Sequence, residues 1–169
     1  MVKMLHSKEV SFIWDILNEI PDPEIPVISL VELGVVRGVE WVDTQLQITI
    51  TPTYSGCPAM RMMEMDIEQS LRKEGITDFK IVMQYHPAWT TDWMSEVTKS
   101  KLKTYGIAPP QAHTKQRIGA LISDAPTDVA CPQCNSVNTK LISEFGSTAC
   151  KSLMKCNDCL ETFDYFKCI

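Results

Sequence analysis

The chain has little of what marks a membrane, exported or nucleic-acid-binding protein. No apolar run approaches the ~20 residues needed to span a bilayer. The opening segment, MVKMLHSKEVSFIWDILNEI, carries Lys8, Glu9 and Asp15 within its apolar pattern. It lacks the uninterrupted apolar core and small-residue cleavage site of a signal peptide, so a soluble, cytoplasmic protein is expected. Positive charge is in deficit: residues 1–129 hold 12 basic and 17 acidic side chains, residues 130–169 four of each, and the net charge is −5. That balance argues against a nucleic-acid or anionic-membrane partner. Histidine is scarce. His6, His86 and His113 are all there are, and none has a catalytic context; His86, before Pro87, fits a loop. There is no internal repeat and no low-complexity tract.

What is plentiful is cysteine, seven in 169 residues. An odd count and no visible export signal speak against a disulfide framework, and closely paired cysteines in a reducing compartment more often bind metal. The length suits one modest domain plus a small one held by metal.

Val10, Ile13, Trp14, Leu17 and Ile20 have the spacing of one helical face over residues 7–20, with Ser7 as N-cap and Pro21-Asp22-Pro23 as the stop. Gly34 to Thr53 reads as two strands about a turn at Asp43-Thr44, with Leu46, Ile48 and Ile50 pointing inward. A helix from about Pro58 to Glu74 carries the stripe Met60, Met63, Ile67 and Leu71, which reads as core rather than as thioether ligands. Phe79, Ile81 and Met83 form a third strand, and a helix runs from about Thr91 to Tyr105. Residues 107–129, punctuated by Pro109, Pro110 and Pro126, read as a linker with an apolar patch at Ile118, Leu121 and Ile122.

The last forty residues carry the clearest chemistry. Cys131-Pro-Gln-Cys134, twenty-one residues, then Cys156-Asn-Asp-Cys159 is the spacing of two knuckles closing one tetrahedral zinc site. Between them Leu141, Ile142 and Phe145 supply apolar residues for a hairpin and Gly146-Ser147 its turn. Four protein ligands leave no open coordination position, so the metal is structural and contributes much of the folding free energy. Rubredoxin-like iron uses similar ligands, and redox disulfides are a further alternative. Cys150 and Cys168 read as small buried or edge thiols, a second labile thiol site being the alternative.

Cys57 stands in TPTYSGCP, where a strand ends and a helix begins. Pro58 at the first helical position places Cys57 at or beside the N-cap, where unpaired amides favour a thiolate. Such a thiolate can ligate iron, accept sulfur or attack an electrophile; the other reading is a small apolar residue at a helix start. Asp22, Glu24 and Glu32 read either as carboxylate ligands or supports that orient the Cys57 loop, or as loop caps or solvated groups.

The segments DPEIPVISLVELGVV, TPTYSGCPAM and HPAWTTDWMSE resemble the iron–sulfur assembly domain of the SUF-system accessory protein SufT, over roughly residues 7–106. The C-terminal FGSTACKSLMKCNDCLETFDYFKC resembles the end of one subgroup, the small subunits encoded with bacterial phenylacetyl-CoA ring epoxidases. The resemblance implies an α/β (α+β) fold: a small mixed sheet with flanking helices over 1–106, a linker over 107–129, and a small β zinc ribbon over 130–169. It implies a non-enzymatic accessory role in aerobic phenylacetate breakdown, assisting iron–sulfur cluster assembly or repair on the epoxidase reductase. Partners would be that reductase or other epoxidase subunits, with the general iron–sulfur assembly machinery and a homodimer as further expectations and no nucleic acid or membrane. By position, Cys57 matches the family's reactive cysteine, and Asp22 and Glu32 its acidic loop. Structural zinc on Cys131, Cys134, Cys156 and Cys159 would be joined by transient iron or a cluster. The alternatives are a non-catalytic structural subunit of the epoxidase, a zinc-ribbon nucleic-acid binder, and an enzyme with Cys57 as nucleophile.

Overall fold

A computed structural model describes residues 2–111 and 128–167, with side chains from residue 10. The linker patch Ile118, Leu121 and Ile122, together with His113 and Cys168, lies outside the described residues. The chain forms two compact units, Met1–Met94 and Ser95–Ile169.

The first unit opens with α1 (Val2–Asn18). This helix begins upstream of Ser7, so Ser7 is not its N-cap; residues 2–6 contain neither proline nor glycine to interrupt it. It stops before Pro21, as a proline pair requires. The next segment folds on itself through Asp22 N–H to the Ile28 carbonyl and Leu30 N–H to the Ile20 carbonyl, both 2.9 Å. Strands β1 (Val36–Val42) and β2 (Gln45–Ile50) form an antiparallel hairpin about Asp43, whose φ of 55° lies in the left-handed region that aspartate tolerates. Helix α2 (Met60–Lys73) then carries the chain across to β3 (Phe79–Met83), which pairs parallel to β2. A parallel pair needs such a crossover, because a tight turn cannot reverse the chain twice. The sheet order is β1-β2-β3.

One sheet face is apolar: Leu46, Ile48 and Ile50 are fully buried, as are Leu17 and Ile13 of α1 and Ile67 and Leu71 of α2. The stripe Met60, Met63, Ile67 and Leu71 is core, as its 3.6-residue spacing requires. The opposite face carries Gln45, Gln47 and Thr49, the alternate residues of β2.

The single helix expected over residues 91–105 is two elements, a 3-10 turn (Thr91–Trp93) and α3 (Glu96–Tyr105). Two side chains compete to start a helix here. The Thr90 hydroxyl accepts from Asp92 N–H and the Ser95 hydroxyl from Thr98 N–H, and Met94 between them is extended. Gly106, at φ 98°, ends α3 in the left-handed cap that glycine adopts without steric cost.

The second unit joins α3 to an antiparallel sheet of β4 (Thr139–Ser143), β5 (Lys151–Cys156) and β6 (Thr162–Phe166). Ala108 adds to its edge: its N–H donates to the Asp164 carbonyl at 2.8 Å and its own carbonyl accepts from Phe166 N–H at 2.9 Å. The core is Ala108, Val129, Cys131, Met154, Cys156, Phe163 and Tyr165, with Leu141 packed against it. Two expectations need correction. Ile142 and Phe145 are exposed, at 48% and 64%. Leu141 takes the inward position of β4, so the alternation turns Ile142 outward, and Phe145, beyond the strand, lies 4.8 Å from the Lys167 ammonium. The turn is also longer than Gly146-Ser147. Gly146 N–H bonds the Lys151 carbonyl and Lys151 N–H the Thr148 carbonyl.

Candidate functional site: a loop cluster and a four-thiol centre

The parallel pairing of β2 and β3 sends the loops that follow them out of the same end of the sheet, and β1, antiparallel, begins at that end. Three segments far apart in sequence therefore meet there. Thr51 N–H donates to the Val35 carbonyl at 2.8 Å and Gln84 N–H to the Ile50 carbonyl at 2.8 Å. The buried Trp89 indole N–H donates to the Leu33 carbonyl at 3.0 Å. Gly34, at φ 80°, faces Trp93: a Cβ there would lie 3.3 Å from Trp93 Cβ, so glycine serves both the backbone and the approach.

Cys57 is half-buried in the loop from β2 to α2. It stands further from the helix than expected. The N-cap of α2 is Ala59, and Cys57 leads a preceding turn in which its carbonyl accepts from Met60 N–H at 3.3 Å. Pro58 therefore belongs to that turn rather than to the first helical position.

Asp22 and Glu32 shape the loop after α1. The buried Asp22 carboxylate accepts from Glu24 N–H at 2.9 Å and Ile25 N–H at 2.7 Å. Glu32 accepts from Ser29 N–H at 3.0 Å while the Ser29 hydroxyl accepts from Glu32 N–H at 3.1 Å, a reciprocal capping arrangement. Glu24 is half-buried and His86 exposed.

In the second unit the sulfurs of Cys131, Cys134, Cys156 and Cys159 lie within 4.8 Å of one another. Contacts across the two knuckles are 3.7 Å for Cys131–Cys159 and 3.6 Å for Cys134–Cys156. A tetrahedral zinc with Zn–S bonds of ~2.3 Å has S···S edges of about 3.8 Å, so the donor set fits the ion in number, type and spacing. The knuckles are built alike. Cys131 N–H bonds the Ser136 carbonyl and Cys156 N–H the Glu161 carbonyl, each at 2.9 Å. Asn135 and Leu160, each just after the second cysteine of its pair, are left-handed at φ 61° and 68°.

Sequence reasoning missed the polar stitching between the knuckles. The Asp158 carboxylate accepts from the Ser136 hydroxyl and, at 2.8 Å, from the Asn138 amide. Asn157 bonds Asn138 through both backbone and side chain, at 2.8 and 3.0 Å. The signal in the sequence was residue type alone, Ser, Asn and Asp at turns, because the partners lie 19 to 22 residues apart. Ser136 first, then Asn138, hold the Asp158 carboxyl below its ordinary range. The thiols titrate unequally. The Cys159 N–H, then that of Asp158, lower Cys156 to about 7 against the effect of burial. For Cys159 the Glu161 amide lowers, but burial and the other three sulfurs outweigh it and push the thiol up to about 12. One ionised sulfur among four thus suppresses the ionisation of its neighbours until a cation shares the charge.

Cys150 is buried, with its sulfur 3.0 Å from the Thr148 hydroxyl. Among the described residues no helix is long and apolar enough to cross a membrane.

The fold and the four-thiol centre define an iron–sulfur assembly type of domain followed by a zinc β-ribbon. Residues 11–78 match the family model of the iron–sulfur cluster assembly protein, and residues 119–167 that of the PaaD zinc beta ribbon domain. The whole chain belongs to the family of the putative 1,2-phenylacetyl-CoA epoxidase D-subunit: it is 48% identical to that protein of Escherichia coli strain K12 over 161 residues, 95% of this chain and 94% of the relative. It is also 33% identical over 82 residues to an Fe-S protein maturation auxiliary factor of Porphyromonas gingivalis, covering 47% of this chain and 77% of that one. Among solved structures, a domain of unknown function, DUF59, from Bacillus anthracis shares the fold over 59% of this chain and 96% of its own, with a TM-score of 0.55 and 24% identity.

Proposed function

We propose that this chain is an accessory factor of the phenylacetyl-CoA epoxidase in aerobic phenylacetate degradation. It has no catalysis of its own and helps to load or repair the iron–sulfur cluster of the reductase subunit. The observation that carries this reading is the match of residues 11–78, which include Cys57, to an iron–sulfur assembly family, within a chain nearly half identical along its length to a small subunit of the epoxidase. Cys57 is the working thiol. It is half-exposed in the loop that follows β2, where a sulfur can make one bond to iron cargo or to a sulfur atom in transit. Asp22 and Glu32 hold the loop after α1 in shape. Zinc on Cys131, Cys134, Cys156 and Cys159 is a staple, and the ribbon it closes is the module that docks the client or another epoxidase subunit.

The test is to produce the epoxidase subunits with the wild-type chain, with Cys57→Ser, or without it, and to measure iron and sulfide in the purified reductase. Serine keeps the size of the side chain but is a poor ligand for iron and cannot carry persulfide sulfur. Cys57→Ser should bind its partners as before yet leave the reductase short of cluster when iron is limiting, with recovery on chemical reconstitution. Wild-type cluster content with Cys57→Ser would favour the structural-subunit reading instead.

A further inference from the structure

On the sheet face opposite the core, a cavity of 340 Å³ opens at the end of the sheet from which the β2 and β3 loops leave. That volume falls at the low end of the ~300–1,000 Å³ range of small-molecule sites. The position is where parallel strands place ligands, outside their carboxyl ends. Two of its lining residues, Arg37 and Thr51, hold donors that are otherwise unengaged. The Arg37 guanidinium lies 3.6 Å above the Trp93 ring centroid, and among the described residues it has neither ion pair nor hydrogen bond. Stacking occupies its face and leaves its N–H edge free. Thr51, 1% exposed, has a hydroxyl with no hydrogen-bond partner. Thr49 lines the cavity beside it, and Gln84 is held by its amide donating to the His86 carbonyl. A stacked guanidinium and threonine hydroxyls lining one cavity are groups of the kind that receive an oxyanion.

Glu40 also lines the cavity, its carboxylate bonded to the Gln47 amide at 3.0 Å. With one carboxylate offsetting one guanidinium the site is near neutral, and the desolvation cost, which grows with the square of the charge, then favours a monoanion over a dianion. From this donor array and its acidic neighbour, we propose that the cavity framed by Arg37, Trp93, Thr49 and Thr51 is a binding site for a small carboxylate-bearing molecule. The proposal does not rest on the cluster-assembly reading, and either can fail alone.

Gly38 supplies a test that leaves the donors in place. It lines the cavity in β1, its φ is outside the left-handed region, and a Cβ there would lie 3.7 Å from the Thr49 hydroxyl, an ordinary contact. Gly38→Val should therefore fold and fill the space. The full-length protein is titrated with acetate, and separately with inorganic phosphate, while the Arg37 Nε–H and Trp93 indole N–H resonances are followed by NMR. For so small a probe the expected Kd is on the order of 1–10 mM. Acetate should shift both resonances saturably and more tightly than phosphate. Arg37→Met, read at Trp93, and Gly38→Val, read at both, should each weaken acetate by about tenfold or more, the scale of one charge-assisted hydrogen bond. Non-saturable shifts, tighter binding of phosphate, or undiminished acetate binding in both variants would overturn the proposal.

Discussion

Stripping the metal from the second unit should unfold more than the residues around the four thiols. The buried cluster beside the four thiols has seven members among the described residues, and two of these, Cys131 and Cys156, belong to the thiol centre itself. The larger apolar members, Val129, Met154, Phe163 and Tyr165, contribute about 1.5–3 kcal/mol each on burial, about 6–12 kcal/mol together. A structural zinc contributes about 10–16 kcal/mol to folding, as much as that core or more. The unit should therefore open cooperatively when a strong chelator is added at neutral pH. Amide hydrogen exchange in the full chain reads this directly. Ala108 donates to the Asp164 carbonyl of β6 and accepts from the Phe166 N–H, so the Ala108 and Phe166 amides should lose protection by at least about a thousandfold along with those of β5. Ile48 and Ile50, buried in the first unit, should keep theirs. Cys134→Ser should reproduce the pattern without chelator. Protection of Ala108 that survives metal loss would refute the dependence of this edge on the metal-held sheet.

Four other outcomes follow from particular residues. Leu160→Gly relieves a left-handed leucine and should stabilise the second unit by up to about 1 kcal/mol in thermal unfolding with zinc bound. Gly146→Ala drives a methyl into the Asp164 carboxylate and toward the Ser152 backbone, and should cost about 1–3 kcal/mol by the same measurement. Ile48→Ala, at a fully buried position of β2, should cost about 2–5 kcal/mol in denaturant unfolding of the first unit and leave zinc content unchanged. Alkylation of the zinc-loaded protein, followed by mass spectrometry, should label half-buried Cys57 well before Cys150, which is 6% exposed.

Much of this was legible where the determinants are local. Leu46, Ile48 and Ile50 alternate because a strand does, and the methionine stripe of α2 has helical period, so both sides of the first core could be read off. The two Cys-x-x-Cys pairs announce their own geometry. The misses have physical causes too. Thr90 and Ser95 each cap a separate start, so a run that looked like one helix became two. Ile142 and Phe145 are apolar yet exposed, because the register of β4 is set by Leu141 and the sheet buries only one of its faces. Asp22 and Glu32 were visible as loop residues, but their backbone partners depend on how residues 20–30 fold back. The Arg37–Trp93 stack joins residues with no periodic relation, and only the β2–β3 pairing brings their segments together.

That pairing has a consequence for the order of events during synthesis. Leu46 meets Phe79, and Ile50 meets Met83, only after the whole of α2 has been made and folded across. Contacts of this separation carry a loop-closure cost before they return any stabilisation, which slows folding. Cys57 lies inside the stretch being closed, and until β3 docks its loop is held by local bonds such as Cys57 N–H to the Tyr54 carbonyl at 3.2 Å. During that interval the thiol sits on an open segment, available to oxidants and stray metal ions. The thiols of Cys131 and Cys134 need only a few residues to form their knuckle. Each knuckle therefore forms locally, the four thiols meeting once Cys156 and Cys159 have been made, while the cysteine of the first unit gains its setting only with the completed sheet.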